Sequence, residues 1–504
     1  MPTLLQSRPE YGGFRQVHAF WVVQADLVLT SAALIVGTQD FNTTDMAVLR
    51  DPKEGRPLLP GTSLAGALRS YLADFLRGYG SNEPSEVAML FGSGAQDGEQ
   101  TSPQQASIGA EAEELGHQSP LIVFDSLGII PEGLGIEIRD GVAIDPQLGT
   151  AETHKKFDLE VLPPGTVFPI RLEMVVDDPG RESKMLALLN AALSGFAEQQ
   201  IRLGTRRSRG LGAVRGVRWR ARRFDLTSAQ GWLSWLLSDT KAPIDDDVKP
   251  QPNPQQAFSA AWPEWDQVAL ALIDRRKKLV VQLELLFPGG LLIRQPGTAS
   301  GSPDAIHLTS GGQPVISGTS FAGVLRHRAL QIARIVRQEQ GDAELWVNNL
   351  FGPRHESDGR NNGQPRASRV WVSEASIDGG KPMRISRIRI DRFTQGVVKG
   401  ALFEEEPTCG GTARLRIEVR NPEPGEIGLM LLVIKDLITG DLPIGGTASV
   451  GRGVCTGSAT VWICGREIAL TDSAGIPGEH LAIIDSLISE FHNALRKGGT
   501  TAHE

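Results

Sequence analysis

The sequence predicts an α+β protein built from two tandem ferredoxin-like (RRM-like) domains, and three observations carry that expectation. At 504 residues and 54.3 kDa the chain exceeds what one hydrophobic core normally serves. A thirteen-residue motif occurs twice, half a chain apart. Around each occurrence, strand-like and helix-like hydrophobic periods follow one another in the same order.

The repeat is explicit. Pro57-Leu-Leu-Pro-Gly-Thr-Ser-Leu-Ala-Gly-Ala-Leu-Arg69 is matched by Pro314-Val-Ile-Ser-Gly-Thr-Ser-Phe-Ala-Gly-Val-Leu-Arg326. Identical pairs are Pro57/Pro314, Gly61/Gly318, Thr62/Thr319, Ser63/Ser320, Ala65/Ala322, Gly66/Gly323, Leu68/Leu325 and Arg69/Arg326, at an offset of 320 − 63 = 257 residues. Leu90-Phe91-Gly92 recurs as Leu350-Phe351-Gly352, and Ile144-Asp145 as Ile390-Asp391, followed by Phe157 and Phe403. Each half closes on a glycine-rich loop, Gly204 to Gly212 and Gly445 to Gly453. Two copies of one domain follow, over 1–238 and 265–495. Residues 239–264, rich in Pro, Asp and Gln and without amphipathic periodicity, read as an exposed linker. Residues 496–504 read as a frayed tail.

Within each copy, apolar runs at 17–36 and 279–286 predict opening strands. A helix follows each Gly-Thr-Ser, with apolar residues at 64, 68, 72, 75 and 76 and at 321, 325, 329, 332 and 336, and Thr62 or Ser63 as the expected N-cap. Further strands are expected at 120–124, 167–175, 369–372 and 413–419. The resulting order is strand–helix–strand–strand–helix–strand.

Composition excludes several classes. No apolar run approaches the roughly 18 residues that cross a bilayer, so no membrane partner is expected. The opening MPTLLQSRPEYGG lacks the basic and apolar regions of a secretion signal. The three cysteines, Cys409, Cys455 and Cys464, form no CxxC pair, which argues against a disulfide scaffold or a cysteine zinc site and suits the cytoplasm. A net charge of −8 means that any nucleic-acid surface is local. Arg202, Arg206, Arg207, Arg209, Arg215, Arg218, Arg220, Arg222 and Arg223 lie within 22 residues that contain no acid, and Arg384, Arg387, Arg389 and Arg392 make a second run. A solvated strand face or a phosphate track would both fit such runs.

Gly-Thr-Ser at a helix start offers backbone amides, two hydroxyls and the positive end of the helix dipole to an anion. The other reading is a plain N-cap before a core helix. His307 and His327 flank the second helix start and could touch phosphate, although a polar surface role suits them as well.

Taken together, Thr44-Asp45-Met-Ala-Val-Leu-Arg50-Asp51-Pro52, the motif from Pro57 to Arg69 and the loop from Gly204 to Gly212 resemble the RAMP superfamily, specifically the backbone subunits of type III CRISPR effectors. The fused arrangement is similar to the two-domain subunits of type III-D systems. The resemblance implies RAMP domains with thumb hairpins and inserted loops that hold a CRISPR guide RNA along its backbone and splay nucleotides of the guide–target pair. The expected partners are guide RNA, complementary target RNA and other RAMP and CRISPR effector subunits. The RNA-binding residues it implies are Gly61, Thr62, Ser63, Arg69, His154, Lys155, Arg206, Arg207, Arg209, Gly318, Thr319, Ser320, Arg326, Arg392, Lys399 and Arg452. An aspartate before the helix, Asp45 and approximately Asp304, would hold Mg²⁺ or another divalent metal and support endonucleolytic cutting of the target. The alternative is a non-catalytic scaffold. Asp45 stands 60 − 45 = 15 residues before Pro60, while Asp304 stands 317 − 304 = 13 before Ser317, so the second loop is two residues shorter.

Overall fold

The computed structural model describes residues 16–37, 44–80, 82–93, 118–145, 150–238, 244, 248–268, 272–297, 301–337, 340–353, 366–463, 465–471 and 478–496. The first domain runs β1 (Ala19–Leu29), α1 (Gly61–Arg77), β2 (Leu121–Val123), a long hairpin of β3 (Glu137–Ile144) and β4 (Ala151–Val161), β5 (Val167–Val176), α2 (Pro179–Ala197), β6 (Arg209–Gly210) and β7 (Val214–Asp225). A short helix, α3 (Pro254–Ala261), precedes the second domain. That domain runs β8 (Lys278–Leu286), α4 (Gly318–Arg337), β9 (Val370–Ser373), a hairpin of β10 (Ile385–Ile390) and β11 (Val397–Glu406), β12 (Thr412–Arg420), α5 (Pro424–Ile438), β13 (Thr456–Ile463), β14 (Arg466–Thr471) and α6 (Gly478–Arg496).

In the first sheet the order is β2-β5-β1-β7, with every neighbour antiparallel. Counted along the strand–helix–strand–strand–helix–strand unit from the β7 edge, this is 4-1-3-2, the ferredoxin-like arrangement. The second sheet repeats it as β13-β8-β12-β9, extended by β14 at one edge and by β6, from the first domain, at the other. The fold expected from the sequence is therefore present in both halves.

Local sequence explains these elements. Along β1, Trp21, Val23, Ala25, Leu27 and Leu29 face the core while Gln24 and Asp26 are less buried, the period of two expected of a strand. On α1 the buried residues include Leu64, Leu68 and Leu72, one stripe at helical spacing. α5 is buried on nearly every side, because α6 covers the side turned away from the sheet, with Phe491 and Leu495 fully buried. Both helices that follow Gly-Thr-Ser begin one residue earlier than the expected cap. α1 starts at Gly61 after Pro60, and in the second copy it is the Ser317 hydroxyl that accepts from Ser320 N–H, at 3.4 Å.

The segment expected to be an exposed linker is in part core. Asn253 caps α3, its Oδ1 accepting from Gln256 N–H at 2.8 Å. Phe258 and Trp265 are fully buried, and Phe258 meets Trp21 and Trp265 edge-on at 5.8 and 5.9 Å. Gln251 and Trp219 exchange both backbone hydrogen bonds. Two large apolar residues anchor a stretch whose Pro and Gln content alone reads as solvated. Residues 239–243 and 245–247 of that segment, and the tail from 497, lie outside the described residues. Phe258→Ala should therefore lower the unfolding free energy by about 3–5 kcal/mol, measured as the first urea transition by tryptophan fluorescence. A free linker would show no change.

Candidate nucleic-acid interface

The two helix starts are engaged by the chain itself. Gly61 N–H donates to Asp125 Oδ1 at 2.6 Å, so the anion at this helix start is a protein carboxylate. Thr62 and Ser63 are exposed beside it. In the second copy the hydroxyls bond to one another, Ser317 to Ser320 at 2.9 Å and Thr319 to Ser317 at 3.2 Å, and Gly318 is buried beneath Arg209 and Gly210. The motif arginines also have internal partners. Arg69 pairs with Glu83 at 2.6 Å, an interaction that raises the guanidinium above its ordinary range. Arg326 donates to Gly352 O at 2.6 Å and to Asn348. Gly352, at φ 81°, ends the helix over Gln340–Phe351 in the left-handed conformation that favours glycine. Arg326 and the repeated Leu-Phe-Gly thus form one structural device in the second copy, not a phosphate clamp.

The arginine run divides in the same way. Arg218 pairs with Asp26, Arg220 donates to Val248 O, and Arg223 pairs with Glu182 at 2.7 Å. Arg202 is half-buried; it stacks on Trp371 and donates to Val372 O at 2.7 Å, and desolvation lowers its guanidinium to about 10. Arg209 lies in β6, beside β9 of the second domain. What remains outward is smaller than the sequence suggested. Arg206, held at φ 52°, lies over the Phe157 ring at 4.4 Å, and Arg207 is exposed near Trp371. In the second hairpin, Arg392 and Lys399 are exposed.

Arg452 was expected to face RNA and instead is buried. It pairs with Glu405 at 2.6 Å, their side chains 8% and 1% exposed. Arg387 and Arg294 reach the same carboxylate at 3.1 and 3.3 Å. His307 is buried too, its ring nitrogens 3.0 and 3.1 Å from Leu291 O and Val315 O, and desolvation lowers its pKa. That is a core histidine. His154 and Lys155 fall on β4, but their side chains lie outside the described residues.

The hairpins bring the two aspartates into equivalent settings. Asp45 Oδ2 accepts from Asp158 N–H of β4 at 2.9 Å, and Asp304 Oδ2 accepts from Glu404 N–H of β11 at 2.8 Å. Both aspartates are exposed. The two-residue deletion in the second loop has not displaced its carboxylate from the root of the hairpin. Around Asp45, Lys156 lies 3.1 Å from Asp140, and the Asp158 carboxyl is raised first by its hydrogen bond to Asp140. Among the described residues, no three His, Cys, Asp or Glu side chains gather in a way that could hold a metal, and no helix is long and apolar enough to cross a membrane.

Two ferredoxin-like domains, each with a hairpin and a glycine loop, and the first loop paired with the edge strand of the second domain, define a protein of two like modules. The chain belongs to the RAMP superfamily, whose family model matches residues 27–215 and 301–456, one stretch in each domain. It is accordingly a CRISPR-associated RNA-binding subunit with two RAMP repeats. No curated protein matches the chain.

The Glu405–Arg452 pair offers a test by internal comparison. Asp158 and Glu404 are equivalent through their aspartates, so the next residues, Leu159 and Glu405, correspond; the glycine loops align Leu211 with Arg452. Both leucines are buried. Arg452→Leu alone should destabilise the second domain, by less than the ~3–5 kcal/mol of a fully uncompensated buried charge because Arg387 and Arg294 still reach Glu405, whereas the double variant Glu405→Leu/Arg452→Leu should recover most of that loss. Chemical denaturation of the three proteins reads both outcomes.

Proposed function

We propose that this chain is a guide-RNA-binding backbone subunit of a type III CRISPR interference complex, and that Asp45 and Asp304 support divalent-metal-dependent cleavage of the complementary target RNA. The observation that carries the reading is the duplicated setting of the carboxylates: each is exposed, at the root of a projecting hairpin, and fixed by an N–H of that hairpin. The fusion of two repeats in one chain favours a type III-D-like subunit working in the cytoplasm with guide RNA, target RNA and other RAMP and effector subunits. Arg206, Arg207, Arg392 and Lys399 are the cations this reading sets against phosphates.

Each centre offers an exposed aspartate carboxylate, with the Asp158 carboxyl beside Asp45 at the first. That fits Mg²⁺, which keeps most of its waters and binds through one or two carboxylates and phosphate oxygens. Asp45 or Asp304 would hold the ion, which would supply positive charge at the phosphate. The chain's own part is positional. The hairpin root fixes the carboxylate, and Arg50 beside Glu160, or Arg294 and Arg387 beside Glu405, lend positive charge nearby. Splaying a nucleotide lets its 2′-hydroxyl oxygen align with the adjacent phosphorus. That oxygen attacks and loses its proton, while the 5′-oxygen leaves and gains one. The products are a 2′,3′-cyclic phosphate and a 5′-hydroxyl.

With the assembled complex, end-labelled target RNA and Mg²⁺, Asp45→Ala should reduce one cleavage product by about 100-fold or more. Asp304→Ala should remove a second product one domain spacing away. Guide and target affinities should stay within about twofold, and chelation should abolish both cuts. A ladder unchanged by both substitutions would refute cleavage by these aspartates and leave the scaffold reading; a particle without RNA would refute both.

The cations have their own readout. Arg206→Gln/Arg207→Gln should weaken guide binding regardless of sequence and flatten its logarithmic salt slope by about 0.7 for each phosphate left without its cation. An unchanged slope would return these residues to a structural role.

A further inference from the structure

Resting on the reading of this chain as one unit in a row of RAMP domains, we propose that the outer edge of β2 is a docking slot for the glycine loop of a different RAMP chain, one with a basic residue at its hairpin root. The internal junction shows what such a slot takes. β6 adds in parallel to β9, with Arg209 opposite Val372 and Gly210 opposite Ser373, and Val372 N–H donates to Ser208 O at 3.1 Å. The first turn of α4 closes over it, so that a Cβ on Gly318 would strike Arg209 O. The hairpin root reaches across as well. Arg139 pairs with Glu374 at 2.5 Å, their side chains 8% and 4% exposed, and Glu137 accepts from the Ser310 hydroxyl and Gly311 N–H at 3.0 and 2.6 Å.

The first domain carries the corresponding strand edge, closed over by the first turn of α1, and among the described residues no strand pairs with its outer side. Leu59 pairs with Ser126 as Ile316 pairs with Ala375, which puts Asp125 in the place of Glu374 and Val123 in that of Val372. Ile122 and Phe124 are exposed along the edge. An uncovered strand edge is a template for strand addition. Asp125 is exposed, accepts from Gly61 N–H, and has no cation paired with it among the described residues. The counterpart of Glu374 lacks the counterpart of Arg139.

This chain does not carry that cation at its other end. Its second glycine loop keeps the backbone of the first: Gly445, Thr447, Gly451 and Gly453 have φ of 84°, 61°, 80° and 77°, against 82°, 52°, 90° and 75° at Gly204, Arg206, Gly210 and Gly212. Arg139 pairs with Leu159 in the first hairpin, and Ile385 with Glu405 in the second, so Ile385 stands where Arg139 does. A second copy would bring an isoleucine to Asp125. The occupant is therefore a different chain. On docking, the first turn of α1 must yield, since Gly61 lies directly against Val123 and Phe124, and Asp125 exchanges an amide for the arriving cation.

The test is a photo-crosslinking amino acid at position 122, in particles purified from the native cells through a tag on this chain, with crosslinks mapped by mass spectrometry and RNA assayed in the same sample. The expected result is a crosslink to the glycine loop of one different RAMP chain, with yield lowered about tenfold by Asp125→Asn and by Asp125→Arg. Crosslinks to residues 445–453 of a second copy, an absence of crosslinks to any other chain, or a yield unchanged by Asp125→Asn would each overturn the proposal. If the slot fails while guide RNA is present, the functional reading stands; a particle free of RNA overturns both.

Discussion

Where the first domain enters the second, three stretches of backbone are stacked without room for a side chain: the edge of β9, the pair Arg209–Gly210, and the first turn of α4. Gly210, at φ 90°, would bring a Cβ within 2.7 Å of Glu374 N, and Gly318 is closed off from the opposite side. Glycine is required at both positions because the approach is backbone to backbone. Around this contact the junction is cationic and aromatic. Arg420 lies 3.6 Å from the centre of the Trp371 ring with Arg202 at 5.4 Å, and the Tyr79 hydroxyl donates to Glu418 at 3.2 Å. Stacked guanidiniums tolerate burial when carbonyls and carboxylates take their hydrogens. The consequence is geometric: anchoring one domain on the other sets the spacing between two hairpins and two aspartates, which a protein aligned on a repeating polymer needs.

This junction also resolves the tension between a chain of net charge −8 and an RNA ligand. Many arginines of the densest run have internal partners. Arg223 bridges Glu182 and lies over Trp262 at 4.9 Å, and Arg209 is lowered by desolvation where the domains meet. Phosphate contacts must then come from fewer cations, set on hairpins and loop tips. Such contacts position a strand without reading its sequence.

The duplication, the strand–helix order and the paired aspartates were legible because each leaves a periodic or repeated trace in the chain. The individual roles were not. Arg326 and Arg452 carry the same charge as a phosphate ligand would, and only the fold reveals that their partners are Gly352 O and Glu405. Repetition marked Arg326, through Arg69, but not what it bonds to, and it did not mark Arg452, which aligns with Leu211. Asp125, which fills the first helix start, is 64 residues from Gly61 in sequence, a distance at which no local pattern operates. α3 escaped for the opposite reason: its burial depends on Phe258 alone among large apolar residues, too little to register as a stripe.

The two hairpin roots show how one design was fixed twice by different means. The first is held from outside, by the next domain, through Arg139 to Glu374 and Glu137 to Ser310 and Gly311; inside its own domain the matching position is the apolar Leu159. At the second, Met383 and Ile385 stand where Glu137 and Arg139 do in the first. Its root is held from within, by Glu405 gathering Arg452 from the glycine loop, Arg387 from β10 and Arg294 from a two-residue strand before Asp304. A buried ion pair contributes little net stability over an apolar one but fixes geometry, and here three guanidiniums converge on one carboxylate. Glu404, the neighbour of Glu405, is the residue whose N–H holds Asp304. The same buried carboxylate cluster therefore keeps the second aspartate at its hairpin root, despite a loop two residues shorter than the first.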